Sequence, residues 1–255
     1  MQWFLMALWA VLTWSHERER EHQKERTRLA ALYVNPFLSA CEDLQSRIYH
    51  VLELGGIRAL RQRYPDGAYA AETLYLIVRY FGWETVVLRY GPYTQDPVVT
   101  RHAEAVRRVF ATSDAGLPVG PFNFFHPEQK ALGKMVMQRM GGQYGVEFDT
   151  ISYYEFKERL ASPPLATSEA VQQSLEALRN TEDGGDLPGR ERLGQAQHHL
   201  VDLLRYLEDK EGYRLFPGER KKCSGLLPPG TPADATQMPV PGGSLTPQTS
   251  MPGQG

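Results

Sequence analysis

The sequence predicts a mainly α protein, a multi-helix bundle set behind a short N-terminal transmembrane helix, with one small strand pair allowed. Three observations carry this. From Asn35 to Thr94 apolar residues return every three or four positions, the spacing that gathers them on one helix face. Ahead of that stretch, Trp3 to Trp14 (WFLMALWAVLTW) carries no charge and few polar groups. Behind it, Gly225 to Gly255 is dominated by Pro, Gly, Ser and Thr, with one charge at Asp234, and cannot recover its ordering entropy by burial. The chain therefore divides into a membrane anchor (1–14), a charged helical stalk (15–34), a helical cytoplasmic domain (35–215) and a disordered Pro/Gly-rich tail (216–255).

The anchor rests on Trp3, Phe4, Leu5, Leu8, Trp9, Val11, Leu12 and Trp14. Such a run rises only about 20 Å as a helix, against a hydrocarbon core of about 30 Å. A span with an upstream part before Met1, a short span held by its tryptophans, and a secretory signal all compete. No basic residue precedes the run and no small-x-small site follows it, so the signal ranks last and a single-pass anchor first, with a monotopic or buried helix between. Arg18, Arg20, Lys24, Arg26 and Arg28 follow at once, which by the positive-inside tendency keeps the rest of the chain in the cytoplasm. Glu17/Arg20, Glu21/Lys24 and Glu25/Arg28 repeat at three-residue spacing, so this stalk is a solvated helix braced by weak ion pairs. His16 and His22 lie on its exposed faces.

Asn35-Pro36 reads as a helix start, because Pro is tolerated at the first helical position. Phe37, Cys41, Leu44, Ile48 and Val51 then form an inner stripe that ends near Gly55-Gly56, with Cys41 as a small buried hydrophobe. A second helix begins after Asp66-Gly67. Ala70, Leu74, Ile77, Val78 and Phe81, with Tyr75, Leu76 and Tyr80, make it apolar nearly all round, as in the middle of a bundle. Thr85-Val86-Val87 leaves helix and strand both open until Gly91-Pro92.

Asp96-Pro97 caps the next helix, with Val99, Ala103, Val106 and Phe110 inward. A Gly/Pro loop leads to Phe122, Phe124 and Phe125, which are either core or an exposed patch for a partner. Ala131, Met135, Val136 and Met140 mark a helix ending at Gly141-Gly142; Tyr144 to Ile151 alternates as a short strand or an extended connector. Ser152 and Glu155 form a capping box. Val171, Leu175 and Leu178, then Leu193, Ala196, Leu200, Leu203, Leu204 and Leu207, mark the last two helices, and regularity ends after Phe216.

With a net charge of −2 and a pI near 6.4, the chain has no electrostatic footprint for nucleic acid. The clusters Arg58/Arg61/Arg63, Arg107/Arg108 and Arg220/Lys221/Lys222 read as solvated helix faces or ends. Two distant cysteines, Cys41 and Cys223, imply no disulfide framework and suit a reducing compartment. Phosphate loops, dinucleotide fingerprints, nucleophile elbows, HExxH and paired CxxC are all missing from the sequence. His198-His199 diverge by about 100° on a helix and read as surface rather than as a metal pair. Neither a cofactor nor a metal is implied.

The best candidate for a site is a pocket drawn from Glu42, His50, Tyr90, Tyr93, His126 and Tyr153, with Asp43, Tyr49, Glu128 and Tyr154 nearby. A His beside a carboxylate can act as a general base, and it can equally be a half-exposed core histidine.

The segments NPFLSACEDLQSRIYHVLELGG, AAETLYLIVRYFGWE, RYGPYT, PFNFFHPEQKALG and GVEFDTISYYEF resemble a group of uncharacterised bacterial single-pass membrane proteins, over about residues 3 to 160. That resemblance implies no activity and no site residues. The expectation is a membrane-anchored interaction or scaffold module with membrane lipid and a protein as partners. The alternative is a small-ligand binder or enzyme using the Tyr/His/Glu pocket.

Overall fold

Residues 2 to 29 form one uninterrupted helix, α1 (Gln2–Leu29), that joins the body through a single π-helical turn at Ala30–Val34. The computed structural model describes residues 2–56, 67–92, 96–111, 117–142, 145–182, 186–211 and 218–224; the side chains of residues 2–13, Tyr93, the 57–66 arginines and the 225–255 tail lie outside the described ones. The expected transmembrane helix is corrected here, because no helix among the described residues is long and apolar enough to cross a membrane. A span needs about 20 predominantly apolar residues. Here the uncharged run gives way after Ser15 to Glu17, Arg18, Glu19 and Arg20 within the same helix. Residues 16–27 are exposed along their length, and α1 packs mainly on the turn that follows it. Arg28 pairs with Glu25 at 3.2 Å, as the stalk pattern anticipates.

Asn35-Pro36 opens an α-helix with the proline in its first turn, as expected, but not out of a loop. The chain is already helical when it arrives, since α2 (Asn35–Leu52) continues directly from the π turn. A proline inside a helix loses one hydrogen bond and crowds the carbonyl four residues back. The wider π turn, closed by Asn35 N–H donating to Ala30 O, relieves that crowding.

α2 presents Phe37, Cys41, Leu44 and Ile48 to the core, all fully buried. α3 (Ala68–Tyr90) remains helical through Thr85-Val86-Val87 and lies at the centre, packed against α2, the hairpin and several later helices. α4 (Pro97–Ala111) is capped as expected: Asp96 Oδ1 accepts from the N–H groups of Val98 and Val99 at 2.8 and 3.1 Å. Phe122 and Phe124 are core and Phe125 is 60% exposed, so the aromatic cluster serves both roles.

The helix expected to reach Met140 stops earlier. α5 (His126–Val136) gives way to β1 (Met137–Gly142), which pairs antiparallel with β2 (Gly145–Thr150), Met137 opposite Thr150. Met140 therefore stands on a strand, half exposed, and the sheet has only these two strands among the described residues. Tyr33 Oη donates to Val146 O at 2.8 Å and fixes the hairpin to the π turn.

The capping box at Ser152 and Glu155 opens α6 (Tyr153–Leu160). α7 (Glu169–Glu182) lies against α3, and α8 (Arg190–Glu211) packs on both α2 and α4. Residues 218–224 carry no regular structure yet belong to the body. Arg220 is buried rather than solvated, and Cys223 is buried too.

Candidate functional site

The residues singled out from sequence fall into four separate places. Glu42 accepts from Gln45 Nε2 at 2.7 Å and from Arg220 Nε at 2.5 Å, so it belongs to the ion cluster that holds residues 218–224. His50 bonds Tyr69 instead, and the two share no partner. Tyr90 packs its ring on Phe148 and Tyr33, with centroids at 5.3 and 6.0 Å, at the hairpin. Asp43 accepts from Arg79 at 2.5 Å, Tyr49 is half-buried against the core, and Glu128 accepts from Ser168 Oγ at 2.9 Å.

One groove gathers His50 and Tyr153 between α2, α3 and α6, together with Arg47, Tyr69, Glu72 and Arg79, in about 560 Å³. His50 Nδ1 lies 2.6 Å from Tyr69 Oη. Burial raises the Tyr69 phenol above its ordinary value, partly opposed by Arg47, so the hydroxyl keeps its proton at neutral pH, and the imidazole tautomer sets which of the two donates. Arg47 stacks on the Tyr69 ring at 4.1 Å and pairs with Glu72 at 2.8 Å. Tyr153 Oη donates to Ala68 O at 3.0 Å, with exposed Tyr154 beside it at 5.7 Å between ring centroids. Both arginines of the groove are matched by carboxylates, so the groove is close to neutral and its polar groups are largely committed to one another.

A second cleft contains His126, with Glu84, Arg89, Arg107, Gln129 and Lys130, in about 330 Å³ between α3, α4 and α5. Glu84 is 3% exposed, and its Oε1 has no hydrogen-bond partner; Arg107 Nε stands 3.5 Å away. Burial pushes the Glu84 carboxyl up to about 8, with Arg107 opposing and Glu104 adding to the rise. It is mostly protonated at pH 7. Arg107 Nη2 donates to His126 Nδ1 at 3.3 Å; since arginine only donates, that ring nitrogen accepts and the imidazole proton sits on Nε2. Gln129 Nε2 donates to Arg107 O at 2.9 Å and to Phe124 O at 2.8 Å, which locks α5 to α4 and the preceding loop.

Of this second group only His126 stands out from the sequence as a site candidate. Arg107, grouped there with solvated arginines, is partly buried in the cleft. Glu84 had a legible signal, as the lone acid in the apolar run FGWETVV. Among the described residues no group of three or more His, Cys, Asp or Glu is placed to hold a metal. His198 and His199 are half-buried rather than surface: His198 Nε2 lies 2.9 Å from Cys223 O, and His199 faces the His102 ring at 6.4 Å.

No family model, curated protein or solved structure matches this chain.

Proposed function

We propose that this chain is a membrane-tethered helical module, with α1 as the tether and the helical body as a docking unit for a protein partner. The supporting observation is the isolation of α1, which projects from the body with residues 16–27 exposed and packs mainly at its junction. A 28-residue helix is about 42 Å long. Its uncharged run from Trp3 to Trp14 lies on the half remote from the body and rises about 18 Å, slightly more than the hydrocarbon of one leaflet at about 15 Å. That half enters the bilayer with Trp14 near the interface, and the charged half holds the body away from the surface. The basic residues of the charged half favour the anionic surface of the cytoplasmic leaflet, which puts the body on the cytoplasmic side.

A protein partner is supported by Val119 and Phe125, which are 74% and 60% exposed and border one cleft of about 520 Å³. The test is flotation of the full chain with vesicles of zwitterionic and anionic lipid, beside the full-length double variant Leu8→Glu/Val11→Glu. Wild type should float and the variant should remain at the bottom of the gradient. A wild-type chain that does not float, or a variant that floats equally well, would overturn the tether.

A further inference from the structure

The cleft at Glu84 lies in the helical body and has a chemistry that the tether reading does not use. Three cations meet there, one from each of three helices: Arg89 on α3, Arg107 on α4 and Lys130 on α5. Against them stand two carboxyl groups. Glu104 pairs with Arg107 Nη1 at 3.4 Å and is 37% exposed. Glu84, almost completely buried, forms part of the lining and leaves its Oε1 without a hydrogen bond. Neither Arg89, which lies over the Tyr90 ring at 5.3 Å, nor Lys130 has a carboxylate partner among the described residues. The His50 groove differs in this respect, since its arginines are both neutralised.

A cleft of about 330 Å³ is at the small end of the range for small-molecule sites and too small for a polymer. Its charge excess disfavours an amine. We infer that this cleft binds a small oxyanion-bearing molecule, a carboxylate or a phosphate monoester, through Arg107, Arg89 and Lys130. The guanidinium forks supply paired donors of the geometry that carboxylate and phosphate accept, and His126 carries a further N–H on Nε2.

Glu84 acts beneath the anion as a neutral floor. While it holds its proton, the positive charge of Arg107 remains available to a ligand. Once ionised, Glu84 competes for that charge 3.5 Å away and repels the anion. The groups that face it are Tyr80 and Arg89 on its own helix, Arg107 and Glu104 on α4, His126, Gln129 and Lys130 on α5, and Cys41 on α2. Burial holds the Tyr80 phenol and the Cys41 thiol well above their ordinary values, so neither ionises near pH 8. Glu84 is thus the group whose charge changes there, and binding should weaken as pH rises through about 8.

The experiment is calorimetric titration of the full chain with benzoate, inorganic phosphate and sulfate at constant ionic strength in chloride. At pH 7 at least one probe should bind saturably, benzoate alone marking a carboxylate site and phosphate or sulfate alone a phosphate site. Arg89→Ala/Lys130→Ala, both exposed positions, should weaken binding by about tenfold. Benzoate and sulfate keep their charge from pH 7 to 9.5, so wild-type affinity for either should fall by about tenfold over that range. Glu84→Gln should bind with little change across the same range. Absence of saturable binding by all three probes, undiminished affinity in the double variant, or an equal alkaline loss in Glu84→Gln would overturn the proposal.

Discussion

Arg220 and Glu208 form a two-point ion pair: Nη1 donates to Oε2 at 2.6 Å and Nη2 to Oε1 at 2.7 Å, with side chains 4% and 7% exposed. Glu42 takes the remaining Nε at 2.5 Å, so one guanidinium joins α2, α8 and the segment 218–224. The segment is fixed further by Gln197 Nε2 donating to Lys221 O and by Ser224 Oγ donating to Glu53. Removing one partner of a buried pair leaves the other charge unmatched, which costs about 3–5 kcal/mol. Arg220→Met should lower the urea-unfolding free energy by that order. Glu42→Gln, at a more exposed carboxylate, should cost about 1 kcal/mol. Equal and small losses in both would show that the segment adds nothing to the fold.

Asp96 ties the start of α4 to the end of α8. Its burial alone would raise the carboxyl, but hydrogen bonds from Lys210, the Val99 N–H, Tyr206 and the Val98 N–H outweigh that and lower it to about 2. A carboxyl depressed in the folded state contributes stability that is fully present above its unfolded value, near pH 4, and lost as pH falls towards 2. Because Lys210 is about a third exposed, the contribution is screened and should be about 1–2 kcal/mol. Asp96→Asn should be less stable than wild type at pH 7, and the two unfolding curves should converge near pH 2. Curves that stay separated throughout would assign the effect to packing rather than charge.

α3 and α5 cross where Gly82 meets Gly133. A Cβ on Gly133 would stand 2.7 Å from Gly82 N and 2.9 Å from Phe81 O, both backbone atoms that cannot swing aside. Gly133→Ala should therefore destabilise by about 1–3 kcal/mol despite the better helix propensity of alanine. Gly120→Ala is the control, since nothing lies within 4 Å of that position and its stability should hardly change. A neutral Gly133→Ala would mean the helices can separate freely at this crossing.

Local pattern carried most of the helices because their inner stripes are periodic. The central place of α3 followed from its all-round apolar surface, and the caps at Asp96 and Ser152 from residue chemistry alone. Non-local partners decided the rest. Met135, Val136 and Met140 fit helical spacing, yet residues 137–142 pair with residues 145–150 and form a strand. Asn35-Pro36 has the form of a helix start, but the helix was already running. Segment 218–224 has no stripe to detect, being held by hydrogen bonds and ion pairs of Arg220, Lys221, Cys223 and Ser224. At the clefts, His50 and His126 stood out as chemistry-bearing residues, while their partners Tyr69 and Arg107 lie 19 residues away in sequence in each case, beyond any helical register.

Glu84 makes the opposite linkage to Asp96. Its folded-state value of about 8 lies above the ordinary 4.5, so the folded chain holds a proton that the unfolded chain has released between those two pH values. Stability is therefore undiminished by this group below about pH 4.5, declines as pH rises towards 8, and levels off beyond it. Glutamine keeps the shape and cannot ionise. Glu84→Gln should match wild type at pH 4.5 and exceed it by about 2–4 kcal/mol at pH 9. The comparison is by urea unfolding at both pH values. If Glu84→Gln is instead the less stable protein at pH 9, the ionised carboxylate is satisfied in the fold by Arg107, and the carboxyl is not the neutral floor of the cleft.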